Sequence, residues 1–264
     1  MTNHEAASAI TEILGLAWSP VAVKFFPAGE SPPAFDAPSP RRFCQVLMEA
    51  RRGLKRLLTP ESVSCPAVAA ALGFKPLPEK LASGEMLVGF GIFATPEAGR
   101  RTVESMLRLA PGKYAAVAVL PLGELGADCT PDVVVVEGLP DQLMWLALAC
   151  VHETGGRLEF STGILQATCV DAAILPFLTG KPNATLGCYG CREATDLGPE
   201  EGVIGIPGHM LDTVATNLRR LAAKAIPRVR AKGAYRHLSE AASSCECAAP
   251  EADGCKPDDV IERV

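Results

Sequence analysis

Cysteines are the residues of this sequence whose type and number most clearly allow chemistry. The 264 residues include ten cysteines but only four histidines. In a reducing compartment a disulfide framework is improbable, which leaves metal binding, redox chemistry or simple burial to account for the thiols. No histidine stands at zinc-finger spacing from a cysteine pair. Thiolates, rather than imidazoles, would therefore dominate any site.

The densest local pattern is G-C-x-G-C, formed by Gly187, Cys188, Gly190 and Cys191 and followed by Arg192. Glycines let the backbone approach sulfur closely, and backbone N–H groups and a neighbouring cation offset the negative charge of an iron–sulfur cluster. The same C-x-x-C spacing is also that of a thioredoxin-like dithiol, which lies between a strand and a helix. We predict a glycine-rich loop over 186–192 followed by a turn and a strand, which favours metal or cluster binding over the dithiol.

Three more cysteines are predicted in the first turns of helices or just before them. They are Cys44, Cys65 and Cys169. Backbone N–H groups at a helix start face outward and stabilise an anion such as a thiolate. These positions are far apart along the chain, so only tertiary folding could bring them to the loop that carries the C-x-x-C pair.

The leading hypothesis is an iron–sulfur protein with a [4Fe-4S] cluster and a role in electron transfer, redox sensing or cluster-based catalysis. Its expected ligands are Cys44, Cys65, Cys188 and either Cys169 or Cys191. Two cations, Arg192 and Lys24, are expected to offset the charge of the cluster. The alternatives are a binding module for zinc or another soft metal, and a thiol–disulfide oxidoreductase that uses Cys188 and Cys191.

Hydrophobic periodicity predicts an α+β fold, with a mixed sheet and packed helices in one main domain over 1–237. Strands are expected over 20–26, 86–93, 114–120, 133–137, 158–162 and 203–206. Helices are expected over 5–16, 39–53 (with Ser39 as the N-cap and Pro40 in the first turn), 65–71, 95–109, 140–152, 169–178 and 207–227. Residues 238–264 are expected to form a flexible, acidic, cysteine-rich tail that contains Cys245, Cys247 and Cys255.

Charge gives little support for binding to nucleic acid, because 30 acidic residues outnumber 25 basic residues and leave a net charge of -5. The tail alone has seven acids and two bases, which accounts for that whole excess. No apolar run approaches the roughly 20 residues of a membrane span, and no secretory signal opens the sequence. We therefore expect a cytoplasmic protein that has no membrane or nucleic-acid partner and that acts with a redox partner protein.

The chain resembles the prokaryotic family known as domain of unknown function one hundred and sixty-nine, which is common in anaerobic bacteria and archaea. The resemblance extends from about residue 19 to residue 221. It rests on the motifs at 19–25, 42–44, 64–66, 186–192 and 204–208. It implies that Cys44, Cys65 and Cys188 are important, and it names no reaction.

Overall fold

The computed structural model describes residues 1–35, 40–163 and 165–230, with side chains as far as residue 227. One compact unit comprises Met1–Ala222, and a second unit begins at Ala223. The predicted acidic tail and its three cysteines lie outside the described residues. The cysteines from Cys44 to Cys191 all belong to the first unit.

Six strands form one sheet, and every pairing among these described strands is antiparallel. The strands are β1 (Val21–Pro27), β2 (Arg56–Leu58), β3 (Tyr114–Pro121), β4 (Val133–Gly138), β5 (Asn183–Thr185) and β6 (Gly202–Pro207). Their order across the sheet is β2-β3-β1-β4-β6-β5. The predicted α+β class is confirmed, but the sheet is antiparallel rather than mixed. Apolar alternation reports which face of a strand is buried and carries no information on strand direction.

Burial of both faces explains why the central strand β4 is mainly apolar. All six residues of β4 are buried, including its run of four valines. Val133 and Val135 belong to the main core cluster, while Val134 and Val136, which point the other way, are also buried. A strand covered on both faces favours apolar side chains on both, and the one charged residue of β4, Glu137, is paired with Arg51.

Ten α-helices and one π-helix surround the described part of the sheet. They are α1 (Asn3–Leu14), α2 (Phe43–Arg51), α3 (Pro66–Ala71), α4 (Glu79–Ala82), α5 (Glu85–Gly89), α6 (Pro96–Glu104), α7 (Pro140–Val151), the π-helix (Ala167–Ile174), α8 (Leu175–Thr179), α9 (Tyr189–Ala194) and α10 (Leu211–Arg230). None of the described helices combines the length and the hydropathy that a membrane span requires.

Two predicted strands are absent from the described structure. The predicted strand over 86–93 is instead α5 and the turn after it, because a short apolar run fits a buried helix as well as a strand. Residues 158–162 have no regular secondary structure and pair with none of the described strands. There the Asn183 side chain replaces a strand partner, accepting a hydrogen bond from the Ser161 N–H and donating one to the Ser161 carbonyl, each 2.8 Å long.

The π-helix packs directly against β6 through a glycine. A Cβ atom added to Gly205 would lie 1.8 Å from the carbonyl oxygen of Ala172. No larger residue fits at this crossing without moving the helix. The glycine therefore fixes the depth at which the helix carrying Thr168 and Cys169 sits on the sheet.

Candidate functional site

All five cysteines predicted as ligands line one cavity of about 330 Å³, which we call the cysteine cavity. Four segments supply them: α2 (Cys44), the residue before α3 (Cys65), the π-helix (Cys169), and the start of α9 (Cys188 and Cys191). The facing wall is apolar and contains Leu81, Met86, Leu87, Phe90, Ile92 and Leu165. The fold thus assembles the thiols that the sequence leaves scattered.

Local signals place two of these thiols at helix starts, as predicted. Cys65 is the N-cap residue of α3, and Pro66 follows at the first helical position. Proline is favoured there because its missing N–H would be unpaired in any case and its fixed φ suits a helix. Cys44 is the second residue of α2.

The predicted loop over 186–192 is wrong in its second half, because α9 begins immediately after Cys188. Cys188 is the N-cap residue, and its Sγ accepts a hydrogen bond from the N–H of Cys191 at 3.3 Å. Gly187, with φ +80°, turns the chain from β5 into this cap. The C-x-x-C pair therefore does lie between a strand and a short helix. The sequence did not predict this helix because Gly187 precedes it and Gly190 lies within it, and glycine is a poor helix former.

Cys44 and Cys191 form a thiol–thiolate pair across two helices. The pKa of Cys191 is lowered to about 6, first by a hydrogen bond from the Cys44 thiol and then by hydroxyls, against the effect of burial. The Thr168 hydroxyl donates one of these bonds, at 2.9 Å. The pKa of Cys44 is raised by the same contact and by burial. The contact therefore makes Cys191 the more acidic thiol of the pair.

Burial raises the pKa of the thiols of Cys188 and Cys169. At Cys188 the rise is opposed by hydrogen bonds from the backbone N–H groups of Ala167, Cys191 and Gln166. The Cys169 thiol donates to the carbonyl oxygen of Gln166 at 3.4 Å. The segment at the start of the π-helix thus contacts both of these sulfur atoms.

Sequence reasoning missed Arg42, a cation that lines the cysteine cavity. Its guanidinium donates to the Gly190 carbonyl at 3.0 Å and to the Glu193 carboxylate at 2.9 Å, which ties α2 to α9. The pKa of Arg42 is raised, mainly by its hydrogen bond to Glu193 and against the effect of burial. The sequence feature that could have pointed to Arg42 is its position two residues before Cys44.

Gln166 is the second residue that sequence reasoning missed. It lines the cysteine cavity, is 7% exposed and has φ +63°. Its side-chain Nε2 is buried and has no hydrogen-bond partner. The sequence does not predict the positive φ of Gln166, because left-handed backbone is ordinarily occupied by glycine or asparagine. It does not predict the unpaired Nε2 either.

Comparison with known proteins gives the family of the chain. Residues 9–217 match the family DUF169, described as uncharacterised ArCR. The chain belongs to this family. An uncharacterized protein of Methanocaldococcus jannaschii is 32% identical over 215 residues, which span 80% of this chain and 91% of that protein. No solved structure matches the chain.

The matched part of this DUF169 protein contains the whole five-cysteine set, while the cysteine-rich tail follows it. Two further cysteines of the matched part, Cys129 and Cys150, do not line the cavity. They are half-buried, and burial raises the pKa of Cys150 to about 12. They serve as natural controls for the five thiols of the cavity.

The two cations expected to offset a cluster in this DUF169 protein have other partners. Lys24 pairs with Asp132 at 2.9 Å and lines neither this cavity nor the adjoining one. The Arg192 guanidinium donates to the backbone carbonyls of Leu186, Gly198 and Glu201, which fixes the chain around α9. Arg192 still helps to lower the pKa of Cys191. The cation at the cavity wall is Arg42, so the expectation for Lys24 is not supported by its position.

A second cavity of about 760 Å³ adjoins the first, and Cys188 and Tyr189 line both. Gly187 and Arg192 line the second cavity, whereas Gly190 lines the cysteine cavity.

Within the part of the chain that the structure describes, no three His, Cys, Asp or Glu side chains are arranged to hold a metal ion as they stand. Metal binding in the cysteine cavity would therefore require the thiols to turn inward.

Proposed function

We propose that this DUF169 protein holds an iron–sulfur cluster, of the [4Fe-4S] type, in the cysteine cavity and acts in redox chemistry. The observation that carries the proposal is the convergence of five cysteines, drawn from four separate segments, on one cavity. Burial of a single cysteine is ordinary, since a thiol behaves as a small hydrophobe. Five cysteines around the cysteine cavity are more than packing alone requires.

The chemistry of the lining suits such a group. Thiolates bind iron, and backbone N–H groups directed at sulfur offset the negative charge of the cluster. Cys188 already accepts such a hydrogen bond from the N–H of Cys191, the pKa of Cys191 is lowered, and Arg42 adds a positive charge. When bound, the cluster would supply a one-electron redox couple. The protein would bind and orient it, and the apolar wall would limit access of water.

Cys44, Cys65 and Cys188 are the ligands proposed first, and Cys169 or Cys191 would complete the set. Four thiolates favour electron transfer, whereas three leave one iron open and favour catalysis. The adjoining cavity, which shares Cys188, offers a place where a redox partner or a small molecule would approach this cluster.

The test is anaerobic purification or reconstitution, followed by visible spectroscopy and analysis of iron, zinc and acid-labile sulfide. We expect a brown protein with about four irons and four sulfides per chain. Single Cys→Ser variants at 44, 65 and 188 should lose the cluster. Cys129→Ser and Cys150→Ser, which lie outside the cavity, should keep it. Comparing Cys169→Ser with Cys191→Ser identifies the fourth ligand.

A thiol–disulfide oxidoreductase is the second candidate, favoured by the position of the C-x-x-C pair at the start of α9 and by the Cys191 thiolate. In that reaction the thiolate would attack a partner disulfide, and Cys188 would resolve the mixed disulfide, releasing the partner as a dithiol. A reconstituted protein without iron or zinc would favour this candidate. A colourless protein with one zinc per chain would favour the soft-metal module instead.

A further inference from the structure

Gln166 combines two unfavourable features at the wall of the cysteine cavity. It is the only non-glycine residue with positive φ among those that the structure describes. Its side-chain Nε2 is also a buried donor without a partner. A left-handed backbone and an unpaired buried donor each cost free energy, and such costs persist where the surroundings impose them, commonly at functional sites.

The main chain of Gln166 is already engaged with two cysteines. Its carbonyl oxygen accepts the Cys169 thiol at 3.4 Å, and its N–H contributes a hydrogen bond to Cys188. The residue begins the π-helix, a type of turn that frequently occurs at functional sites. The side-chain Nε2 remains unpaired, and Gln166 lines the cavity together with the five cysteines.

We propose that the Gln166 carboxamide donates an N–H···S hydrogen bond to the sulfur-rich group held in the cysteine cavity. This inference rests on the proposed function, in which the acceptor is a sulfide of the cluster. Hydrogen bonds to cluster sulfurs stabilise the reduced, more negative state and so raise the reduction potential. Gln166 is thus a positioning residue that tunes the potential and ligates no metal.

The experiment compares Gln166→Leu with Gln142→Leu in the full chain, each reconstituted anaerobically. Gln142 is a matched control because its amide is fully used, donating to the carbonyls of Leu14 at 3.2 Å and Gly15 at 2.9 Å. Three quantities are measured: iron and sulfide content, the midpoint potential, and the urea stability of the metal-free protein. A second variant, Gln166→Gly, removes the amide and also relieves the positive φ.

We expect Gln166→Leu and Gln166→Gly to keep iron and sulfide but to shift the midpoint potential to more negative values. The metal-free form of Gln166→Leu should be no less stable than wild type, because no hydrogen bond of the amide is lost. Gln142→Leu should show the opposite pattern, with lower stability and an unchanged potential.

Unchanged potentials in both Gln166 variants, with a normal cluster, would overturn this inference and leave the proposed function intact. Wild-type protein that takes up no iron and sulfide would overturn both. A potential shift in Gln142→Leu equal to that in the Gln166 variants would show a general effect of destabilisation and would also overturn the inference.

Discussion

The thiol of Cys44 in α2 lies against the thiol of Cys191 in α9, although 146 residues separate the two along the chain, and this contact raises the pKa of Cys44 and lowers that of Cys191. The contact makes Cys191 the more acidic member. It also joins two helices that reach the cysteine cavity from different parts of the fold. The pair therefore gives the cavity a thiol with a lowered pKa before any metal binds.

Replacing Cys44 by alanine should raise the pKa of Cys191 in the metal-free protein. The wild-type value is about 6, and the Cys44 thiol is the largest cause that lowers it. Without that donor the thiolate is less stable, so the titration moves to higher pH. The pH dependence of the carbon-13 shift of the Cys191 Cβ measures the effect. Cys150→Ala is the control, and an unchanged midpoint in Cys44→Ala would contradict the thiol–thiolate pair.

Thr168→Val should raise the pKa of Cys191 by less than Cys44→Ala does. The Thr168 hydroxyl donates to the sulfur at 2.9 Å, and valine keeps the shape while removing the donor. We expect a loss of about 1 kcal/mol in unfolding free energy, typical of one hydrogen bond. Thr195→Val gives the comparison, since that hydroxyl lies 3.7 Å from the same sulfur. A larger pKa shift for Thr195→Val than for Thr168→Val would refute this ranking.

Arg51→Met should destabilise the protein by about 3–5 kcal/mol above neutral pH, as expected when one member of a buried ion pair is removed. Arg51 ends α2, is 4% exposed and pairs with buried Glu137 of β4. Burial raises the pKa of Glu137 to about 7, and Arg51 opposes that rise. The variant would leave a buried carboxylate without its cation. Urea unfolding at several pH values measures the loss, which should shrink at acidic pH, where Glu137 is protonated.

The double variant Arg51→Met, Glu137→Met completes that double-mutant cycle. Two apolar side chains of similar size can pack together without a buried charge, so much of the stability lost in Arg51→Met should return.

The single variant Glu137→Gln tests the pH dependence of stability. Native Glu137 holds its proton up to about pH 7, whereas the unfolded carboxyl releases it near 4.5, so this residue makes stability fall as the pH rises between these values. Glu137→Gln should remove that decline, and an unaltered pH profile would argue against the raised pKa.

Gly205→Ala should unfold the protein or strongly destabilise it, because its Cβ would lie 1.8 Å from the Ala172 carbonyl oxygen. Relief would require the π-helix to move away from β6, which also displaces Thr168 and Cys169. Gly126→Ala is the matched control, since nothing lies within 4 Å of a Cβ at that position. Urea unfolding compares the two variants, and similar midpoints would show that the crossing is not tight.

Local chemistry was enough to predict much of the fold. The Cys65-Pro66 step predicts a helix start here, because a cap residue and a first-turn proline act within one turn. The valine run of β4 and the alternation of β1 predict buried strands for the same local reason. The run over 86–93 failed because a short apolar segment does not distinguish a helix from a strand. Strand direction was not predictable either, since it depends on which distant segment lies alongside.

The sequence by itself identified the five cysteines, since residue type decides which side chains can act as soft ligands. Only the tertiary structure decided that they line one cavity, that Arg42 rather than Lys24 is the cation there, and that Gln166, whose buried Nε2 has no hydrogen-bond partner, lines the same cavity. These relationships join segments separated by tens of residues, and their geometry is set by how helices pack on an antiparallel sheet. Such packing depends on the whole core at once, so no local pattern in the sequence carries it.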